Sequence, residues 1–209
     1  MPVKLTERDV LIVVDVQNDF LPGGALAVPE GDAVIAPINT LIDRFSHVVL
    51  TQDWHTPAHV SFASSHPGKS AFDTTTLPYG EQVLWPDHCV QGTSGAELAT
   101  PLEAAKAELV VRKGYHPQID SYSGFVEADG TTPTGLGGYL KERGFTRVFV
   151  CGLATDYCVA WTAMDARKQS FETFVIEDAC RGIDLRGSVE AAWAAMEASG
   201  VGRLGSQAF

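Results

Sequence analysis

Apolar residues fall along this chain in two alternating rhythms. Residues 10–16 (VLIVVDV) form a β-branched run broken only by Asp15, which predicts a strand buried on both faces. From about residue 33 to residue 45 the period changes, and Val34, Ile38, Leu41, Ile42 and Phe45 recur on one face of a helix. The pair of patterns then repeats. Strands are predicted over residues 47–51, 109–112, 147–151 and 171–176, and helices near residues 135–143, 155–168 and 188–199. The tail, residues 200–209, has room for one short last strand. Continuously apolar strands alternating with helices predict a central, mainly parallel sheet covered on both faces, a three-layer α/β/α sandwich. Nothing divides residues 1–209 into more than one domain. The exception to the rhythm is the stretch from Asp53 to Gly92, rich in Pro, Gly, His and Ser, which keeps no period for long. So long a loop in a compact domain points to a functional role, and it reads as one side of a binding site.

Composition narrows the functional classes. A hydrophobic share of 45% over 209 residues suffices for a sizeable core. With 26 acidic against 15 basic residues the net charge is −11, and the few basic pairs are isolated, which argues against nucleic acid as a partner. No window approaches the roughly 18 apolar residues of a membrane span, and the charged start MPVKLTERDV does not resemble a targeting segment. A cytoplasmic location is expected, with the four cysteines (Cys89, Cys151, Cys158, Cys180) reduced.

Ligands of open parallel sheets bind beyond the carboxyl ends of the strands, so the polar residues there are the candidates for chemistry. Asp15 ends the first strand, Asp53 and His55 follow the second, Lys113 ends the third and Cys158 lies just past the fourth. With Thr155 or Asp156 as N-cap, Cys158 would sit in the first turn of a helix, where free N–H groups lower a thiol pKa. A small buried hydrophobe is the competing reading for a cysteine, and it suits Cys151 and Cys180 better. Lys113 and Asp15 could stabilise the thiolate and carry its proton, although a plain Lys–Asp ion pair fits them too. Asp53-x-His55 puts two ligand-type side chains on one side of an extended segment. Either His59 or His88 could complete a two-His, one-carboxylate site for a divalent metal, and spacing alone does not choose between them. His47, His66 and His116 read as structural or surface residues.

Five blocks carry a family resemblance: DVQNDFLPGGALAV (15–28), TQDWHTPAHVSFASSHPGK (51–69), LWPDHCVQGTSGAEL (84–98), RKGYHPQIDSYSGF (112–125) and CGLATDYCV (151–159). In this order they resemble the bacterial nicotinamidases of the isochorismatase-like cysteine hydrolases. The resemblance implies a catalytic triad of Asp15, Lys113 and Cys158 and an oxyanion hole of the Ala154 and Cys158 amides, with a cis bond between Leu153 and Ala154. It also implies metal ligands at Asp53, His55 and His88, and a pyridine pocket walled by Phe20, Trp85 and Tyr122. His59 is a further ligand candidate in the same loop.

The implied reaction is hydrolysis of nicotinamide to nicotinate and ammonia through a thioester, a step of NAD salvage, with pyrazinamide also accepted. The implied cofactor is one divalent ion, zinc first, with iron or manganese as alternatives. It could orient the ring nitrogen or deliver the water, and orientation is the favoured role. The expected partner is a small carboxamide, with no nucleic acid or membrane, and the chain could be monomeric or a homo-oligomer. Two other readings compete with this one. Amidases of carbamoyl or ureido compounds share the triad but generally lack the Asp-x-His and His set, and a non-catalytic module would not need an intact triad.

Overall fold

The computed structural model describes residues 2–209. Six strands form the central sheet: β1 (Asp9–Val14), β2 (Val48–Asp53), β5 (Leu109–Lys113), β6 (Arg147–Leu153), β7 (Glu172–Arg181) and β8 (Gly202–Leu204). Their order is β5-β2-β1-β6-β7-β8, and every neighbouring pair is parallel. All six residues of β1 are buried, as its uninterrupted apolar run requires of a strand covered on both faces. The helices are α1 (Ile35–Arg44), α2 (Leu136–Glu142), α3 (Ala160–Lys168) and α4 (Ser188–Ala198). α1 packs against β1, and α3 against β6, β7 and α4. Right-handed crossovers put α1 on one face of the sheet and α3 and α4 on the other, which gives the three-layer α/β/α architecture. Among the described residues no helix is long and apolar enough to cross a membrane.

The chain leaves β1 toward β2 on one side and later returns to β6 on the other, so the strand order reverses at β1. The carboxyl ends of β2, β1 and β6 therefore open the crevice in which an α/β sheet holds its ligand. Gly152 lets β6 close on this point. It adopts φ 117°, and any Cβ there would collide with the Val14 backbone.

Three elements differ from the sequence pattern. β7 runs on to Arg181, beyond the predicted end at residue 176. Glu177 and Asp178 are exposed and break the apolar run, while pairing passes from Val150↔Val175 to Gly152↔Cys180 across a register shift that leaves the extra residues on β7. The Asp53–Gly92 stretch contains a hairpin, β3 (Thr74–Leu77) and β4 (Gly80–Val83). Most of its residues are at least partly exposed, so no alternation of apolar and polar residues marks it. The predicted helix over 155–168 opens as one π turn, Thr155–Val159, before α3 begins. Neither Thr155 nor Asp156 caps it. Ala154 holds the cap position in extended conformation, and its carbonyl accepts the N–H groups of Tyr157 and Val159 at 3.1 Å.

Candidate active site

Four adjacent strand ends bring the candidate residues together. Lys113 closes β5, Asp53 closes β2 as its register partner, Asp15 follows β1, and the π turn after β6 carries Cys158. Lys113 is the hub and is fully buried. Its Nζ lies 2.8 Å from Asp15 Oδ2, donates to Ser121 O at 2.9 Å and to Cys158 Sγ at 3.3 Å, and donates to Asp53 Oδ1. Burial alone would push this ammonium down, but the Asp15 and Asp53 carboxylates outweigh it and hold Lys113 well above its ordinary value.

The electrostatics of Cys158 and Asp15 correct one expectation. The Cys158 thiol is not lowered but pushed well above its ordinary value, first by burial and then by Asp15 and Asp53, against the pull of Lys113. Asp15 is likewise raised, by burial ahead of the opposing Lys113. The resting pair is therefore a thiol beside a carboxylate of increased basicity. Thr51 Oγ1 donates to Asp15 Oδ1 at 2.6 Å. Oδ2 faces the Lys113 ammonium in the ion pair already described.

Asp53, His55 and His88, all buried, converge on one point. Asp53 Oδ2 is 3.6 Å from His55 Nε2 and 3.9 Å from His88 Nε2, separations that suit donors each about 2 Å from a shared centre. His55 Nδ1 donates to Gly114 O at 2.9 Å and His88 Nδ1 donates to Pro86 O at 2.8 Å. The carbonyl partners fix the tautomers and leave both Nε2 lone pairs facing Asp53, as outer-shell bonding does for metal-ligating histidines. Gly114, at φ 66°, makes this possible, because a Cβ there would strike the His55 ring. Burial, with His55 beside it, pushes His88 down to about 4, so its imidazole is a neutral ligand. Formal charge points the same way. The buried carboxylates of Asp15, Asp53 and Asp120 face one buried ammonium, Lys113, an imbalance that one divalent cation would offset. The donor set thus fits such an ion.

His59 does not belong to this set. Its Nε2 donates to His116 O at 2.9 Å and its Nδ1 meets Ser61 Oγ at 2.8 Å, so both nitrogens are engaged away from Asp53. It does lie close to His55 and Asp120.

Phe20, Trp85 and Tyr122 line one pocket with Asp53, His55, His88, Ala154 and Cys158, together with Leu26, Asp120, Tyr157 and Ile183. Trp85 meets Tyr157 edge-on at 4.8 Å and donates Nε1–H to Tyr122 Oη at 3.0 Å, so flat aromatic walls surround the sulfur. The Leu153–Ala154 peptide is cis. A larger cavity of about 250 Å³ opens beyond Tyr122, between Tyr79 and Trp161, but it touches none of Asp15, Lys113, Cys158, His55 or His88.

Several residues of the site were not singled out from the sequence. Gln17 clamps Asp53 from both sides, its Oε1 accepting Asp53 N–H at 2.7 Å and its Nε2 donating to Asp53 O at 2.9 Å. Asp19 accepts Cys89 N–H at 2.7 Å and pins the chain after His88. Asp156 accepts from Ile183 N, Asp184 N and Ser188 Oγ, tying the 183–188 loop to the pocket. All three lie inside the quoted sequence blocks, which was the only available signal. The other three cysteines are buried, and none of the four forms a disulfide.

Residues 9–207 match the model of the isochorismatase domain. The chain is 57% identical to a nicotinamidase of Acinetobacter baylyi, over 98% of this chain and 96% of that one. Among solved structures it is similar to a nicotinamidase and pyrazinamidase of Acinetobacter baumanii, with TM-score 0.96 and 59% identity over 98% of this chain and 99% of that one. It is also similar to a pyrazinamidase of Pyrococcus horikoshii in complex with zinc, with TM-score 0.77 and 38% identity over 95% of this chain and 99% of that one.

Proposed function

Since the chain belongs to the isochorismatase family and is an amidohydrolase, we propose that it hydrolyses nicotinamide to nicotinate and ammonia with Cys158 as nucleophile, and that it accepts pyrazinamide. The observation that carries this reading is the meeting of Cys158 Sγ, Lys113 Nζ and the Asp15 carboxylate at the floor of an aromatic pocket.

Burial raises the Asp15 carboxyl and so makes it a stronger base than an exposed carboxylate, as a group that must take the thiol proton requires. Asp15 Oδ2 takes the thiol proton as the sulfur attacks the carboxamide carbon, and Lys113 at 3.3 Å steadies the sulfur anion. The backbone N–H groups of Ala154 and Cys158 hold the oxyanion that forms. Asp15 passes its proton to the amide nitrogen, the C–N bond breaks, and ammonia leaves a thioester on Cys158. A water molecule then attacks the thioester carbonyl while Asp15 takes its proton. Collapse expels the sulfur, which regains the proton, and the free acid leaves.

Phe20, Trp85 and Tyr122 would sandwich the heteroaromatic ring. Asp53, His55 and His88 would hold a divalent ion, zinc first with iron or manganese as alternatives, which supplies a Lewis acid that orients the ring nitrogen. Benzamide, which lacks that nitrogen, should then be a poor substrate. In the cell the product would re-enter NAD synthesis, and a reactive thiol suits the reducing cytoplasm.

The test is the release of ammonia and nicotinate from nicotinamide by the purified protein, beside pyrazinamide and benzamide. Turnover of nicotinamide and pyrazinamide above benzamide is expected. No ammonia from either heteroaromatic amide overturns the assignment.

A further inference from the structure

Asp120 is a buried carboxylate that the mechanism does not use. It is 2% exposed, lines the same pocket as Cys158 and His88, and among the described residues pairs with no Lys or Arg. Its Oδ1 accepts Ser121 N–H and its Oδ2 accepts Gln82 Nε2–H, each at 2.8 Å. Two neutral donors are weak compensation for a buried charge, whose desolvation costs several kcal/mol when no cation answers it. The cation is not supplied by Lys113, which is already shared by Asp15 and Asp53.

Its position suggests the answer. An Asp120 oxygen and nitrogens of His55 and His59 all lie within 4.8 Å of one another, yet Asp120 is not in the group formed by Asp53, His55 and His88. It stands beside His55, one of the three converging donors, without being one of them, a place from which a carboxylate can act through a bridging water. His59, with both nitrogens bonded elsewhere, stands beside both without competing for the ion.

We infer that Asp120 is a positioning residue for the divalent ion: an outer carboxylate that accepts hydrogen bonds from water held beside His55 and supplies part of the negative charge the ion offsets. The inference rests on the metal reading given above. Outer-shell partners of this kind typically change metal affinity by about 10–100-fold.

The test is zinc affinity, read by competition with a chromophoric chelator, in metal-stripped wild type, Asp120→Asn and Gln82→Leu. Asp120→Asn should bind zinc roughly 10–100-fold more weakly, with the melting temperature of the metal-free protein little changed. Gln82→Leu removes a hydrogen bond to Asp120 but keeps its charge, and should stay near wild type. Equal zinc affinity in Asp120→Asn and wild type overturns the inference, as does an equal loss in both variants, which would mean loop packing. Asp120→Ser, judged by the same criterion, replaces the asparagine variant if its amide against Gln82 prevents folding. Absence of zinc binding by the wild type would overturn the metal reading itself, a result that does not involve Asp120.

Discussion

Thr51 ties one oxygen of Asp15 at 2.6 Å and leaves the other facing the Lys113 ammonium at 2.8 Å. A single hydroxyl thereby makes the two oxygens of one carboxylate unequal. The oxygen not bonded to Thr51 is the one that, in the proposed mechanism, takes the proton of Cys158.

Loss of that hydroxyl should show in the pH profile. Asp15 is already raised by burial, and the Thr51 bond lowers it. The basic form of Asp15 is lost as pH falls through its pKa, so Thr51→Val, which raises the pKa further, should move the acidic limb of kcat/KM to higher pH. A hydrogen bond to a charged group is worth about 1.5–3 kcal/mol, so the limb should move by roughly one to two pH units. Thr51→Ser should return it. An unmoved limb in Thr51→Val would remove Thr51 from the account.

Chelation should lower turnover of nicotinamide, and zinc should restore it. His88→Ala should bind zinc more weakly by more than the roughly 10–100-fold attached to outer partners, because His88 Nε2 is one of the converging donors. His59→Ala should lose about 1–3 kcal/mol of stability from its broken buried bonds but keep its metal. Elemental analysis of the two purified variants separates these outcomes, and metal loss in His59→Ala alone would reverse the ligand assignment.

Asp156 links stability to substrate binding. Its carboxylate takes three hydrogen bonds from residues 183, 184 and 188, and Ile183 lines the pocket. Asp156→Ala should cost about 2–4 kcal/mol, and each kcal/mol should lower Tm by roughly 2–4 °C at this chain length. KM should rise more than kcat falls, since the loop shapes the pocket and does not touch the sulfur. Calorimetry and steady-state kinetics on the same preparation check both parts.

Residues buried on two faces were legible in the sequence, and residues defined by their partners were not. The apolar run of β1 and the one-sided stripe of α1 announce themselves because burial dictates residue type. The exposed hairpin β3–β4 and the far half of β7, past Glu177 and Asp178, have no such stripe. In the site, Asp15, Lys113 and Cys158 stood out as reactive types at strand ends. Thr51 and Gln17 did not, since a threonine or glutamine in or beside a strand is ordinary until its bond to another strand is seen. His59 and His88 were equivalent by spacing. They differ in where their ring nitrogens are bonded: His88 turns its Nδ1 to the nearby Pro86 O, whereas the Nε2 of His59 is taken up by His116 O, far along the chain. The raised thiol of Cys158 was missed for a related reason. Helix-terminus reasoning sees the local N–H groups but not the burial or the two carboxylates contributed by β1 and β2.

The covalent role of Cys158 is tested most directly by mass spectrometry of protein quenched in acid during nicotinamide turnover. A nicotinoyl group on the peptide that contains Cys158, absent from Cys158→Ala, is the predicted result. An acyl group on another residue, or undiminished ammonia release by Cys158→Ala, would contradict it.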